Sequence, residues 1–302
     1  MQTVTKCNLC GSSSFKKLFD ATDRLHGKEG KFVYVKCNEC GLVFQNPVLD
    51  NKELTNFYPE DYSPHQAKKT KSEKEKQKFK TKILEDVLKK LSSKSNLLDV
   101  GCGNGKFLYE IKKQTGCQIS GVDFSKTAVK AVKASYNLDV FCGTVIESSF
   151  ENNYFDIITA WSFIEHVNNP SEVLQKLYNM LKPGGNCILS CPNFNSFNAK
   201  VFKNKWYHLD CPRHLYIYTP KTITNLMEKI GFTVTKTIHE KTSKGLLGSL
   251  QYYIYGNNFN PSYRNKIRKS ALLKSILSPL TRVIAFFKKA DTIVVYAVKK
   301  EK

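Results

Sequence analysis

The chain has 302 residues, 41% of them hydrophobic, and a formal net charge of +21. This length suffices to bury a full core and to form one large domain with a smaller module. No apolar run is long enough to span a bilayer, and residues 1–6 do not form a secretory signal, which predicts a cytoplasmic protein.

The basic charge is unevenly distributed along the chain. Residues 241–302 carry thirteen basic and two acidic side chains, whereas residues 96–240 carry fifteen and twelve. This imbalance favours an anionic partner. Three kinds of partner would fit: an acidic lipid surface, a phosphate-bearing small molecule and a nucleic acid. A solvated, lysine-rich surface is the alternative, and it accounts well for residues 68–94.

Two copies of the pattern C-x-x-C-G lie near the N-terminus, with 26 residues between them. Two cysteines three apart in a tight turn can present both sulfurs to one ion, and two such turns complete a closed tetrahedral site. A redox pair is the alternative for one C-x-x-C, but it is improbable for two. The pattern predicts a zinc-ribbon-like module over residues 1–50, with a structural zinc ion held by Cys7, Cys10, Cys37 and Cys40.

Residues 51–95 are predicted to link this module to the next domain. An aromatic run that includes Tyr62 either folds over an active site or packs between the two units. Apolar residues recur at helical spacing from Phe79 to Leu91, which predicts an amphipathic helix leading into the first core strand.

An apolar strand at residues 97–100 leads into a turn in which every second residue is glycine, and a helix begins at Lys106. The nicotinamide dinucleotide pattern G-x-G-x-x-G does not fit, because its third glycine would fall on Lys106. Asp123 ends the next apolar run, at a distance that suits a carboxylate accepting both hydroxyls of a ribose. We interpret the turn as a ligand site; a tight turn without a ligand is the alternative.

A buried strand is predicted at residues 154–161, followed by Glu165-His166 and by an amphipathic helix from Pro170. The sequence LKPGG, a further strand and the pair Pro192-Asn193 come next. With the glycine turn, this series resembles the class I S-adenosylmethionine-dependent methyltransferases over roughly residues 96–240 and the final strand. The resemblance implies an α/β fold for residues 96–302, with a Rossmann-like, seven-stranded, mostly parallel sheet.

The resemblance also implies the cofactor, S-adenosylmethionine, and the residues that bind it. Asp99 and the glycine turn hold the methionine portion, Asp123 holds the ribose, and the segment after the third strand lies against the adenine. Many relatives have an acidic residue at the position of Thr144. The implied set is Asp99, Gly101, Cys102, Gly103, Gly105, Asp123, Phe124, Gly143, Thr144 and Trp161.

The cysteine module and residues 40–47 are similar to those of deoxysugar C-methyltransferases and of related enzymes from bacterial surface-polysaccharide clusters. This similarity implies that His166 is the general base, with Glu165 as its orienting or acceptor-binding group and His214 as a further catalytic residue. A role in lining the pocket is the alternative for Glu165 and His166. The loop of residues 206–216 either binds the acceptor or is a structural turn. The implied substrate-binding residues are Tyr62, Asn193, His208 and Arg213.

Residues 241–290 are predicted to be an insertion before the closing strand at residues 292–298. Ser278 and Pro279 suit the N-cap and first position of a helix. Residues 261–290 contain eight basic and no acidic side chains. This composition suits a helix lying on the anionic inner face of a membrane; a lid packed on the core is the alternative.

The sequence therefore predicts a methyltransferase acting on an anionic small-molecule or saccharide acceptor, a class that includes nucleotide-linked and lipid-linked compounds, in surface-glycan or secondary metabolism. An RNA methyltransferase that binds phosphates through the zinc module and the basic tail is the second hypothesis. It is disfavoured because no Asn/Asp-Pro-Pro-aromatic motif follows the fourth strand and because the basic residues are not interleaved with stacking aromatics. A non-catalytic binding protein is the third hypothesis.

Overall fold

The computed structural model describes residues 1–58, 82–256 and 266–301. Tyr62 and the first part of the predicted linker helix lie outside this range. The strands are β1 (Phe15–Ala21), β2 (Phe32–Cys37), β3 (Val43–Gln45), β4 (Asn96–Val100), β5 (Gln118–Asp123), β6 (Phe141–Cys142), β7 (Phe155–Trp161), β8 (Leu181–Pro192), β9 (Tyr216–Ile217), β10 (Phe232–His239) and β11 (Thr292–Lys299). The α-helices are α1 (Asn51–Thr55), α2 (Lys82–Leu88), α3 (Lys106–Thr115), α4 (Lys126–Tyr136), α5 (Pro170–Met180), α6 (Phe197–Phe202), α7 (Pro220–Ile230), α8 (Lys244–Tyr255), α9 (Lys266–Lys269) and α10 (Ala271–Phe286).

A seven-stranded sheet in the order β10-β11-β8-β7-β4-β5-β6 forms the centre of the larger domain. Strands β4, β5, β6, β7 and β8 pair in parallel. Strand β11 lies between β10 and β8 and is antiparallel to both. Strands β4, β7 and β8 are buried over most of their length, as expected for parallel strands covered on both faces. The predicted Rossmann-like, mostly parallel sheet is confirmed.

The strand order reverses beside β4, whose two neighbours are β5 and β7. In open α/β sheets, a crevice for ligands forms outside the carboxyl ends of the strands at this switch point. The glycine turn follows β4 at that end, Asp123 closes β5, and Glu165 follows β7. The topology therefore collects the predicted site residues at one edge of the sheet.

The N-terminal module contains a second sheet, in the order β1-β2-β3-β9. Its fourth strand comes from the larger domain, since Val43 pairs with Ile217 and Phe44 with Tyr216. Tyr34 and Phe44 belong to the same hydrophobic cluster as Leu98 of the central sheet. The module is thus packed onto the larger domain; the boundaries at residues 50 and 95 stay predictions.

The helix of the insertion differs from its predicted start. Helix α10 begins after Ser270, whose hydroxyl accepts a hydrogen bond from the Leu273 amide, and Pro279 lies inside it. The prediction that Ser278 caps a helix starting at Pro279 is therefore wrong. The apolar residues upstream of Pro279 extend the helix by two turns because they continue its helical pattern.

Candidate active site

The glycine turn has the backbone that its sequence predicts. Gly101, Gly103 and Gly105 all have positive φ, at 72°, 53° and 70°. A Cβ on Gly101 would lie 2.9 Å from the Phe163 ring, and one on Gly105 would lie 2.8 Å from Val132. At these two positions, close packing within the protein itself already requires glycine.

Asp123 closes the turn from the neighbouring strand. Its Oδ2 atom accepts the Gly103 amide at 2.8 Å, and Oδ1 accepts the Ser125 amide at 2.9 Å. A carboxylate offers about four acceptor positions, so two remain for a ligand such as a diol. The side chain is 4% exposed, at the bottom of the crevice rather than on its rim.

Asp99 is a buried member of the same group. Its Oδ1 atom accepts a 2.7 Å hydrogen bond from the Thr159 hydroxyl. Burial raises the pKa of Asp99 to about 7, and the nearby charge of Asp123 acts in the same direction. Asp99 is thus a buried group at the end of β4, held by the neighbouring strand β7 through Thr159.

The segment predicted to lie against the adenine contains an acidic residue that sequence reasoning missed. The amide and the hydroxyl of Thr144 both donate to Oε2 of Glu147, at 2.7 and 2.8 Å. The Gly143 amide donates to the carbonyl oxygen of Asp123. The Glu147 carboxylate therefore lies directly beside Thr144. The sequence signal for this contact was an acidic residue three positions after Thr144, which is the spacing of a turn.

Two residues of the predicted cofactor set have side chains that pack inside the protein. Cys102 is 8% exposed, so chiefly its backbone can face a ligand. The Trp161 ring makes an edge contact with Phe107, at 5.4 Å between ring centroids, and its Nε1 atom has no hydrogen-bond partner among the described residues. Phe124 is different, since 45% of its surface is exposed beside Asp123.

Glu165, His166 and His214 form a compact cluster beyond the ends of β7 and β8. One potential ligand atom from each lies within 4.8 Å of those of the other two. The two imidazole rings meet edge to face at 4.6 Å, and Nε2 of His214 lies 4.0 Å from Oε1 of Glu165. The structure therefore brings together the three predicted catalytic residues.

Backbone carbonyl groups fix the tautomer of both histidines. Nδ1 of His166 lies 2.9 Å from the carbonyl oxygen of Arg213, and Nδ1 of His214 lies 2.9 Å from that of His208. Because a carbonyl oxygen can only accept, each Nδ1 carries the proton when the ring is neutral. Nε2 of each ring is left with a lone pair.

The cluster is poorly solvated, and its pKa values reflect this. Burial raises the pKa of Glu165 to about 8, and neither carboxylate oxygen has a hydrogen-bond partner in the described part of the chain. Burial, followed by the neighbouring His214, lowers the pKa of His166 to about 3. Shifts of this kind, in opposite directions within one cleft, are typical of functional sites.

Arg213 has a different role from the predicted one. Its side chain is fully buried, and its guanidinium donates to Asp23 at 2.8 and 3.0 Å, to Asp210 at 2.8 Å and to the Phe57 carbonyl at 3.0 Å. Burial alone would raise the pKa of Asp210, but the charge of Arg213 holds it well below its usual range. The donors of Arg213 are thus used within the protein, and the residue stabilises the loop that carries His214.

Asn193 and His208 are also held by internal contacts. The side-chain NH2 group of Asn193 donates to the Ala290 carbonyl, and the side-chain oxygen of Asn193 accepts a hydrogen bond from the backbone amide of Asn195. These contacts fix the end of β8. The ring of His208 packs between Trp206 and Tyr207, and burial lowers the pKa of His208 to about 3. Nε2 of His208 is also buried, so the ring of this residue packs within the loop although the residue is partly exposed.

Tyr58 belongs to the site, although no sequence pattern distinguishes it from its aromatic neighbours. Its hydroxyl lies 3.0 Å from Nδ1 of His166, and its ring lies 5.7 Å from that of Phe124. Tyr58 thus connects the residues around the glycine turn with the histidine cluster. The contact joins segments 108 residues apart, so no local pattern could reveal it.

The four cysteines of the N-terminal module converge. The sulfur atoms of Cys7 and Cys40 are 3.5 Å apart, as are those of Cys10 and Cys37, and all four lie within 4.8 Å of one another. Tetrahedral zinc with Zn–S bonds of about 2.3 Å requires sulfurs about 3.8 Å apart. In both turns the glycine after the second cysteine has a φ of 78°. The donor set therefore fits a closed four-thiolate metal site.

Taken together, the switch-point crevice, the glycine turn and Asp123 define the fold and site of a class I methyltransferase. The family model described as "Methyltransferase domain" (Methyltransf_23) matches residues 72–237, and the chain belongs to this family. A SAM-dependent methyltransferase from Archaeoglobus fulgidus aligns over 72% of this chain and 91% of its own, with a TM-score of 0.51 and 22% identity. A protein described as a putative sarcosine dimethylglycine methyltransferase from Galdieria sulphuraria gives a TM-score of 0.52, at 16% identity over 72% of this chain and 83% of its own.

Among curated relatives, the ubiquinone biosynthesis O-methyltransferase of Nitrobacter winogradskyi is 32% identical over 151 residues, which are 46% of this chain and 57% of that protein. The corresponding enzyme of Idiomarina loihiensis is 33% identical over 33% of this chain and 43% of its own. The chain thus spans about half the length of the curated relatives it matches.

Proposed function

We propose that this protein transfers a methyl group from S-adenosylmethionine to a small-molecule acceptor, with His166 as the general base. The observation that carries the proposal is the position of the Glu165–His166–His214 cluster, linked through Tyr58 to the crevice at the switch point. When bound, S-adenosylmethionine supplies a methyl group activated by positively charged sulfur. The glycine turn with Asp99, the carboxylate of Asp123, and the Gly143 segment would hold it.

The residues of the cluster divide the work of removing a proton from the acceptor. His166 presents a neutral Nε2 lone pair because the Arg213 carbonyl holds its Nδ1 proton. Burial lowers the pKa of both His166 and His214, and the charged Asp210 carboxylate opposes this shift, so it favours the protonated ring that forms during the reaction. Glu165, whose pKa burial raises to about 8, has no hydrogen-bond partner for either carboxyl oxygen among the described residues, so it can hydrogen-bond to an acceptor hydroxyl. Such proton transfer contributes about 10²–10⁴-fold to rate.

The acceptor is proposed to be anionic, and a saccharide or a nucleotide-linked or lipid-linked derivative of one, as part of surface-glycan metabolism. The similarity of the cysteine module to sugar C-methyltransferases and the formal charge of +21 support this choice. We place the protein in the cytoplasm, where thiolates are kept reduced for zinc. Contact with the inner membrane face is proposed for residues 261–290, which include helix α10.

The zinc ion is proposed to be structural. The loop between Cys7 and Cys10 docks on the larger domain, since Asn8 accepts hydrogen bonds from the amide and hydroxyl of Ser171, at 2.9 and 2.7 Å. Lys229 donates to the Leu9 carbonyl at 2.8 Å. A metal that fixes this loop would thereby fix the start of α5, the helix that follows His166.

Calorimetry with S-adenosylmethionine and its demethylated product tests the proposal. We expect binding to the wild type and a loss of roughly tenfold or more in the Asp123→Ala variant, because a charge-assisted pair of hydrogen bonds is removed. Asp139→Ala, at an exposed position on the same domain, is the matched control. If the wild type binds neither compound, the non-catalytic hypothesis replaces this one. Screening of cell-extract metabolites with a labelled methyl donor then identifies the acceptor by its mass shift.

A further inference from the structure

Helix α10 carries a row of large apolar side chains that face solvent. Their spacing of four, four, three and three residues places the first five on one face of the helix, and the sixth follows directly. The exposed fractions are 70% for Leu272, 61% for Ile276, 46% for Leu280, 52% for Val283, 80% for Phe286 and 66% for Phe287. We refer to these six residues as the outer face of α10.

The outer face is additional to the face by which α10 packs on the protein. Thr281 and Ala285, on the opposite side of the helix, are buried. A helix that only covered the core would have polar residues opposite this contact. The outer face is thus an apolar surface of the kind that marks an interaction site.

The outer face lies at the edge of the sheet where the active site is found. Helix α10 leads into β11, whose Thr292 pairs with Pro192 at the carboxyl end of β8. The amide of Phe197 donates to the Lys289 carbonyl, and Phe197 and Val201 are themselves about half exposed. Two further exposed apolar side chains, on α6, thus follow the backbone contact with the end of the insertion.

The insertion is also joined to the loop that carries His214. The Tyr207 amide donates to the hydroxyl of Ser249 at 2.9 Å, and Arg268 donates to the Tyr207 hydroxyl at 3.0 Å. Tyr207 precedes His208, whose carbonyl holds His214. These contacts come from α8 and α9, and α10 begins three residues after Arg268, so the start of α10 lies near the loop that carries His214.

The basic charge around the outer face indicates which kind of partner it binds. Residues 261–290 contain eight basic and no acidic side chains. Association of two copies through α10 would bring two such clusters together, which is electrostatically unfavourable. An apolar face bordered by Lys and Arg matches the boundary between acyl chains and anionic headgroups.

We propose that the outer face of α10 lies in the surface of an anionic lipid bilayer, parallel to the membrane plane. No helix among the described residues has the length and apolar content needed to cross a bilayer. Contact through α10 brings the insertion, which is hydrogen-bonded to the loop of His214, to the headgroups. In combination with the proposed function, this orientation favours an amphiphilic, anionic acceptor; the membrane contact itself does not depend on methyl transfer.

Cosedimentation of the full chain with vesicles tests the proposal. We expect binding to vesicles of equal parts phosphatidylglycerol and phosphatidylcholine, and little binding to phosphatidylcholine alone. Replacing Ile276 and Phe286 with Glu should weaken binding roughly tenfold or more, since two apolar anchors become charged. Tyr154→Glu, an exposed aromatic at the opposite edge of the sheet, should bind as the wild type does. Circular dichroism establishes that each variant is folded.

Three outcomes would overturn the membrane contact. The first is equal binding of the wild type and the α10 variant to anionic vesicles, and the second is equal binding of the wild type to neutral and anionic vesicles. The third is a wild type that does not bind vesicles but forms a dimer in light scattering, where the α10 substitutions dissociate that dimer. Donor binding measured in the same preparations separates this result from the proposed function. A protein that binds S-adenosylmethionine but not vesicles refutes only the membrane contact.

Discussion

Nδ1 of His166 lies 2.9 Å from the carbonyl oxygen of Arg213, a residue whose guanidinium is fully buried between Asp23 and Asp210. The hydrogen bond fixes the tautomer of His166, and the ion pairs fix the carbonyl. A residue of the N-terminal module, Asp23, therefore helps to orient the proposed base. This relationship links the integrity of the module to the chemistry of the site.

Replacing His166 with Asn tests the role of Nε2 as the base while the hydrogen bond to the Arg213 carbonyl is kept. The Asn amide can still donate to the Arg213 carbonyl from a position close to that of Nδ1, but the Nε2 lone pair is lost. We expect methyl transfer to fall about 10²–10⁴-fold with unchanged donor affinity. His239→Asn, remote from the cluster, is the control. Near-normal turnover of the His166 variant, measured with labelled donor, would remove His166 as the base.

Replacing Arg213 with Met should destabilise the protein strongly. The substitution leaves Asp23 and Asp210 without their shared cation in a buried environment, which costs about 3–5 kcal/mol. Lys17→Met breaks the exposed pair with Asp20 and should cost less than about 1 kcal/mol. Urea unfolding of the two variants measures the contrast. Equal losses would show that the buried pairs add nothing beyond a surface contact.

Removing one zinc ligand should release the metal. Wild-type protein is expected to carry one zinc ion per chain, and Cys37→Ser to carry almost none and to unfold at lower temperature, because structural zinc sites stabilise the fold directly. Cys142→Ser, at an exposed cysteine outside the site, should retain zinc. Plasma emission spectrometry gives the metal content. A metal-free wild type whose melting temperature a chelator leaves unchanged would contradict the assignment.

Asp99 should make the ligand-free protein less stable as the pH rises. Its pKa is about 7 in the folded protein and about 3.9 in an unfolded chain, so folding favours the protonated form. Its favourable contribution is complete below about pH 4 and is lost as the pH rises to about 7. In the Asp99→Asn variant this dependence is absent. The difference in unfolding free energy between the variant and the wild type should therefore shift in favour of the variant from about pH 5 to about pH 8; a constant difference would contradict the shifted pKa.

Much of the site could be predicted from sequence because its signals are local. The three alternating glycines, Asp123 and the Glu165-His166 pair all follow strands with long apolar runs. Parallel strands align their carboxyl ends at one edge, so these residues had to converge once the strand order was known. The cysteine pairs were equally local, since each C-x-x-C-G turn is a self-contained motif.

Local patterns could not predict which partners the long or polar side chains contact in the folded protein. Arg213 was predicted to bind the substrate, but its guanidinium pairs with two carboxylates of the chain itself, Asp23 and Asp210. Tyr58 carried no signal because its contact with His166 spans 108 positions. Pro279 indicated a helix start, yet the helix continues through it from Ser270.

The sequence by itself determined the order of strands and helices, the glycine turn and the two cysteine turns, because each depends on neighbours within a few residues. Only the tertiary structure decided which charges are satisfied internally, which histidine nitrogen carries a lone pair, and which apolar face of α10 stays in solvent. These properties depend on burial and on partners from distant segments, and the free energy of a polar group is set by such surroundings.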